Sequence, residues 1–370
     1  MDRVSNLEKR LNWHVPYLTD DLPGIGGVIR REVEDFIVDE VPAYEPCGEG
    51  EHTYFRVEKW DVSTMQLVKE IADRLGVSPR KISYAGLKDA RAVARQTLSA
   101  HFVPVEAIRE LDLPRARVLW VTRHRNKLRP GHLRGNRFTI RIRDVVPDAT
   151  SCAAAILETL SARGVPNAYG PQRFGNRGDN QIVGYHLLHR DGSALAEMGI
   201  RRPSKRMQRF FISALQSALF NQVVGLRIRD ETLDTVILGD LARKEDTGGI
   251  FTVEDLSAEC PRAERWEISA TGPIYGYKMM EAKADAGELE AQVLSDAGLE
   301  LEDFRAARAR GLRRPLRYNP EDLTWELHES PHSEEEAALI VSFFAPKGSF
   351  ATMLLRELMK TDTAWVEEED

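Results

Sequence analysis

Residues 137–146 alternate strictly, with Phe138, Ile140 and Ile142 set against Arg137, Thr139, Arg141 and Arg143. Successive side chains on a strand point to opposite faces, so this pattern demands a sheet with one apolar and one charged face. Partners for that strand are readable nearby. Residues 26–41 read as a strand region in which Phe36, Ile37 and Val38 precede Pro42, and residues 53–60 are rich in aromatic and β-branched types. Residues 96–103 read as a short strand, and 337–344 as a strand of the buried type.

Helices are marked by apolar stripes and end signals. Ser63 or Thr64 caps a helix through Leu75, with Leu67, Val68, Ile71 and Leu75 on one stripe and Gly76 as its stop. Further helices are predicted over 151–162, ended by Gly164 and Pro166, and over 207–228, where Phe211, Leu215, Leu219 and Val223 recur every four residues. Another covers 284–297 before Gly298, and the last is capped by Ser349 and runs to about Lys360. Strands at 249–253 and 266–274 complete a mixed α and β pattern, and 370 residues suffice for two units. The loop of Gly, Asn and Arg residues from 164 to 180 marks a domain boundary.

Charge is unevenly spread. The net charge of −7 speaks against a nucleic-acid partner, yet three runs hold 21 of the 51 basic residues and no acid: 115–143, 201–209 and 304–317. The rest is correspondingly acidic, ending in Val366-Glu-Glu-Glu-Asp370. One such run reads as a solvated face; three predict local positive fields that attract RNA or DNA phosphates, converging on one cleft.

Other classes are disfavoured. No apolar run reaches the length of a membrane span, residues 1–10 have no signal-peptide core, and the cytoplasm is expected. Cys47, Cys152 and Cys260 are isolated, which fits reduced thiols and argues against a disulfide framework or a zinc knuckle. Gly24-Ile-Gly-Gly27 lacks the third glycine of a dinucleotide fingerprint and no Gly-x-x-x-x-Gly-Lys occurs, so no nucleotide cofactor is expected. His328-Glu-Ser-Pro-His332 matches a zinc-protease pattern, but Pro331 would break the helix that must carry both histidines. His186 and His189 have no third ligand nearby in sequence and are expected to pack or face solvent.

The chemistry-bearing stretch is Tyr84-Ala-Gly-Leu-Lys-Asp-Ala-Arg-Ala-Val-Ala-Arg-Gln96, which sets Asp89 beside Lys88 in a glycine-loosened turn. A neighbouring cation favours the ionised carboxylate, which can then act as nucleophile or base. The same residues also fit a surface turn whose Asp caps a following helix. Phe138 is either the first core residue of its strand or an aromatic face for a flipped base, with Asn136 supplying amide hydrogen bonds. Asn167, Tyr169, Gln172, Arg173 and Phe174 form a polar and aromatic loop that either contacts substrate or joins two domains through its own hydrogen bonds.

Residues 84–96 resemble the motif that carries the catalytic aspartate in the TruD family of pseudouridine synthases. Four more blocks are similar in the same order: Glu34-Asp-Phe-Ile-Val38 with Gly48-Glu-Gly-Glu-His52; Lys127-Leu-Arg with Gly135-Asn-Arg-Phe138; Gly164-Val-Pro-Asn-Ala-Tyr-Gly-Pro-Gln-Arg-Phe-Gly175; and Pro346-Lys-Gly-Ser-Phe-Ala-Thr352 with Leu355-Arg-Glu-Leu358. The resemblance covers almost the whole chain. It implies an α/β fold with mixed sheets, in which a discontinuous catalytic domain (1–163 and 320–370) is interrupted by an inserted TRUD-type domain (164–319), with a cleft between them. It further implies isomerisation of uridine to pseudouridine in tRNA, at position 13 of the D-stem, by Asp89 acting on a flipped uridine without cofactor or metal. Asn136 and Phe138 match family residues that line the uridine pocket; Arg30, Lys88, Asn167 and Arg173 are the other candidates for substrate contact, Arg30 and Lys88 also for keeping Asp89 charged. Ala94 stands where the family often has Thr, and Arg30 where it often has Lys, which keeps the charge but changes its geometry. A non-catalytic RNA-binding protein that retains the fold is the alternative; it would have no need of Asp89.

Overall fold

The computed structural model describes residues 2–328 and 337–361. They form two units: Gly24–Ala155 with Pro320–Ala351 and Leu358–Asp370, and Met1–Pro23 with Ile156–Asn319 and Thr352–Glu357. The first unit holds a nine-stranded sheet made of β1 (Gly26–Val28), β2 (Phe36–Pro42), β3 (His52–Trp60), β4 (Ile82–Tyr84), β5 (Val93–His101), β6 (Ala116–His124), β7 (Leu133–Val145), β8 (Glu321–His328) and β9 (Ala338–Pro346). The order is β8-β9-β7-β2-β5-β3-β6, with β1 added to β7 and β4 to β5. Only the β2–β5 pair is parallel among these, so the sheet is mixed.

The register explains which residues share a face. Val38 lies opposite Phe138 and beside Ala94, Phe138 opposite Phe343, and Ala94 opposite Lys59. Residues opposed across strands point the same way. One face therefore carries a row of Lys59, Ala94, Val38, Phe138 and Phe343, and the next row brings Val57, Gln96, Glu40, Asn136 and Ala345. Further along this face Phe55, Val57, Leu98 and Ala100 receive Leu67, Val68, Ile71 and Ala72 of the helix Thr64–Arg74. Each buried Leu or Ile there contributes about 1.5–3 kcal/mol. Ser63 caps that helix by accepting from the Gln66 N–H, and Gly76 ends it at φ +64°.

The opposite face carries the alternating arginines, and acids from other strands and from the turn before β2 neutralise many of them. Arg56 pairs with Asp39, Arg95 and Arg117 with Glu58 at 2.8 and 2.6 Å, Arg137 with Asp322 at 2.6 Å and Arg143 with Asp35 at 2.7 Å. Burial pushes the Asp35 carboxyl up, but the Arg143 guanidinium outweighs this and holds it below its ordinary value. β6 lies inside the basic run 115–143 and was not anticipated, because its arginines mask a weak alternation.

The second unit is built on the helix Lys205–Arg229 and a four-stranded sheet of Ile250–Thr252, Leu241–Lys244, Ile268–Ile274 and Leu312–Pro315. Of the six arginines in 304–317, Arg305, Arg308 and Arg310 are exposed as expected, but the expectation needs correction for the other three. Arg313 is buried against Glu290 at 2.7 Å, and Arg317 is buried with its guanidinium on the carbonyls of Arg163 and Ala263. Arg314 stacks over Tyr169 at 4.5 Å. These three arginines hold the unit together and are not a solvated phosphate-binding strip. The 201–209 run is exposed throughout its basic positions, as expected of a solvated cationic segment.

Gly135 sits where β7 runs between β2 and β9. A Cβ there would clash with the Ala345 carbonyl oxygen and lie 2.6 Å from the Phe344 ring. Gly135→Ala is expected to destabilise the protein by about 1–3 kcal/mol, whereas Gly192→Ala, which meets open space, should be neutral or slightly stabilising. Urea midpoints of both variants check this; equal midpoints would refute the crowding.

Candidate active site

Asp89 lies between β4 and β5, in a segment that no helix follows. It therefore caps no helix, although it does sit in an exposed turn. Its side chain is 47% exposed, and its Oδ2 accepts from the Arg30 guanidinium at 2.8 Å, Arg30 being only 13% exposed. Arg30 reaches this position from a left-handed backbone, φ +59°, which non-glycine residues seldom adopt. The bend follows directly from β1, whose Gly27 packs so closely on β7 that a Cβ would meet the Arg143 carbonyl at 2.6 Å.

The loop around Asp89 is clamped from below by buried cations. Lys88, next in sequence to Asp89, does not accompany it. Its Nζ donates to Glu40 Oε2 at 2.6 Å, with both side chains almost wholly buried. Glu40 Oε1 accepts the Thr97 N–H at 3.1 Å, and the Lys88 N–H donates to Thr64 Oγ1 at 2.9 Å. Lys59, also buried, donates to the carbonyls of Asp89 and Val62. Burial pushes the Lys59 ammonium down to about 8, the nearby Asp89 charge opposing this. The expectation that Lys88 faces substrate or pairs with Asp89 is thus corrected. Adjacent residues in an extended loop point opposite ways, and Glu40 draws this one inward.

An aromatic stack continues from the ion pair. The Arg30 guanidinium lies 4.2 Å over the Phe36 ring, Phe36 meets Phe138 edge-on at 6.0 Å, and Phe138 stacks on Phe343 at 5.5 Å. Phe138 is 8% exposed and packs as a core residue of β7. Asn136, two residues earlier on the same face, has a buried side-chain oxygen that accepts no hydrogen bond among the described residues. Such an orphaned acceptor is costly unless something binds it. Asp89, Arg30, Phe138 and Asn136 all belong to the sheet unit.

Asn167 and Arg173 belong to the second unit, where their side chains are engaged by its own groups. The Asn167 amide donates to the Pro315 carbonyl at 2.9 Å and accepts from Arg314 at 2.6 Å, so both of its ends are occupied. Arg173 donates to Ser217 Oγ at 3.1 Å and to Ser213 Oγ, both on the helix Lys205–Arg229. Phe174 is buried against Trp13, with ring centroids 4.5 Å apart. The loop holds its own unit through these bonds. Lys59, Glu40 and Phe36 were the residues sequence reasoning missed; Lys59 and Glu40 stand among other charged residues of β3 and β2, so nothing in the sequence singled them out. His328 ends strand β8, and residues 329–332 of the His-Glu-x-x-His pattern lie outside the described residues. Among the described residues no group of three or more His, Cys, Asp or Glu could hold a metal ion.

Comparison with known proteins agrees across the chain. The family profile described as tRNA pseudouridine synthase D (TruD) matches residues 13–205 and 194–358. A protein of that name from Thermus thermophilus is 47% identical over 348 residues, covering 94% of this chain and 92% of its own. One from Geobacter metallireducens is 39% identical over 402 residues, covering 93% and 97%. A crystal structure from Methanosarcina mazei described under the same family name aligns with a TM-score of 0.80 at 25% identity, over 96% of this chain and 98% of that one.

Removing one partner of a buried ion pair strands the other charge. Lys88→Met is expected to cost about 3–5 kcal/mol in urea unfolding. Adding Glu40→Gln, which keeps an acceptor for the Thr97 N–H, should restore much of the loss. A Lys88→Met protein within about 1 kcal/mol of the parent would show that the pair does not anchor the loop.

Proposed function

The chain belongs to the TruD family of tRNA pseudouridine synthases, and on that footing we propose that it isomerises uridine to pseudouridine at position 13 of the tRNA D-stem, with Asp89 as the catalytic carboxylate. The observation that carries the assignment of Asp89 is its placement: a half-exposed carboxylate, paired with Arg30, on a loop fixed by two buried lysines. In the wider reading, residues 1–163 and 320–370 form the catalytic domain and 164–319 the inserted one, with residues 1–23, 156–163 and 352–357 packing with the second unit.

The reaction breaks the bond between ribose C1′ and uracil N1, turns the base, and joins C1′ to C5. The C5 proton leaves and N1 ends with a proton, so atoms and electrons balance without an external reductant or oxidant. The junction is inaccessible inside a helix, and the uridine must leave its stack. An anionic oxygen beside C1′ then acts by attacking carbon or by taking a sugar proton; both routes need the Asp89 charge. Arg30 supplies the counter-charge and holds one oxygen, leaving the other for the sugar. Phe138, backed by Phe36 and Phe343, forms the aromatic floor for the base, and Asn136 offers its unpaired amide oxygen to a uracil N–H. Phosphate contact falls to exposed cations without an acidic partner among the described residues: Lys127, Arg129 and Arg134 near the sheet, and Arg201, Arg206 and Arg209 in the second unit.

Incubation with unmodified tRNA followed by pseudouridine mapping should give conversion at position 13. Asp89→Asn should keep fold and tRNA binding while lowering turnover by about 10²- to 10⁴-fold or more. Near-normal turnover of Asp89→Asn would transfer the role to another group, and absence of conversion by folded wild-type protein would remove the assignment altogether.

Neutralising Arg201, Arg206 and Arg209 should weaken binding to all tRNA sequences alike. Each lost contact should flatten the log–log salt dependence by about one unit. A triple variant with an unchanged salt slope would take these residues out of the interface.

A further inference from the structure

Tyr44, just beyond β2, and His124, at the end of β6, stack with ring centroids 5.2 Å apart. The Tyr44 hydroxyl hydrogen-bonds with His132 Nδ1 at 2.8 Å and with the Tyr54 hydroxyl at 3.2 Å, and Tyr54 donates to the Asn126 carbonyl at 3.0 Å. These bonds pin the Tyr44 ring, and the Cys47 N–H donated to His124 Nδ1 at 3.1 Å holds the histidine, which reduces the ordering cost of binding. Beside them opens a depression of about 490 Å³ lined by Tyr44, Glu45, His124, Lys127, Arg129 and His132, a size suited to a small planar ligand.

The cations there are held outward by the loop that carries them. Leu128 between them is buried, with its N–H on Ser99 Oγ at 3.2 Å, so Lys127 and Arg129 on either side face solvent. Gly131, at φ +87°, donates its N–H to the Ala85 carbonyl at 2.8 Å and ties this loop to the Asp89 segment. Neither Lys127 nor Arg129 has an acidic partner among the described residues. Burial and the neighbouring Arg125 charge push the His124 imidazole down, keeping its ring neutral and suited to stacking.

We propose that this depression binds a second unstacked nucleotide of the same RNA, its base against the Tyr44–His124 pair and its phosphates on Lys127 and Arg129. Aromatic faces flanked by unpaired cations are what single-stranded nucleotides require. Glu45, the one acid in the lining, repels phosphate and can accept from N–H groups on the base edge, which orients the nucleotide with its backbone toward the lysine and arginine. The site rests on the tRNA reading above, and it is separate from the pair that holds Asp89.

The test is steady-state pseudouridylation of tRNA by wild type, by Tyr44→Ala/His124→Ala and by Tyr44→Phe. The double variant should raise KM by about 5- to 150-fold, the equivalent of one stacked base, while kcat changes far less, and Tyr44→Phe should recover most of the KM. A folded double variant with wild-type KM, or one that loses kcat at unchanged KM, overturns the proposal. If the double variant fails to fold, ultraviolet cross-linking of wild-type protein to tRNA decides: adducts on Tyr44 or His124 support the site, and adducts only elsewhere refute it. Failure of wild-type protein to convert any uridine would instead sink the catalytic reading, so the two outcomes are distinguishable.

Discussion

The buried ion pair between Glu40 and Lys88 is the constraint on which the sheet unit depends. β2 and β5 are paired in parallel only as far as Asp39 and Arg95, and beyond that point the Thr97 N–H would be left without a ladder partner. The Glu40 carboxylate takes that N–H with one oxygen and Lys88 with the other. One side chain thus ends the parallel pairing, fixes the loop that follows β4, and, through the Lys88 N–H on Thr64, ties the loop to a helix start. A pair so deeply buried is weak evidence for net stability, because desolvation offsets much of the attraction. Its effect is positional: with Lys88 drawn inward, Asp89 must face outward.

Arg30 completes the arrangement from the other side. Its backbone strain, its stacking on Phe36 and its bond to Asp89 are one geometry. A planar guanidinium can lie flat on a ring and still donate to a carboxylate at its edge, which an ammonium cannot do. Arginine at this position therefore brings an aromatic contact that runs on through Phe138 to Phe343.

Arginine serves opposite ends in the two halves of the chain. On the sheet it covers a solvent-side face and is largely neutralised by acids across the strands; in the second unit Arg227, Arg313 and Arg317 are internal braces. Arg227 is paired with Asp240 at 3.0 Å, with both side chains buried. Five donors in a rigid fork let one buried arginine satisfy several carbonyls and carboxylates at once. A count of positive charge along the chain cannot tell such a brace from a phosphate contact.

What the sequence by itself determined was whatever depends on neighbours along the chain. The two-residue alternation of β7, the stripe and caps of the helix Thr64–Arg74, the stop at Gly298 and the order of the motif blocks are all local or repeated signals. Asp89 stood out for the same reason, inside a recognisable run of thirteen residues. Only the tertiary structure decided that Lys88 turns away to Glu40, that Arg30 crosses fifty-nine positions to reach Asp89, and that Asn167 and Arg173 spend their hydrogen bonds within their own unit. The physical reason is that a charged or amide group has no preferred partner until folding removes water. Which partner it then takes is set by sheet register and burial, quantities that no short stretch of sequence contains.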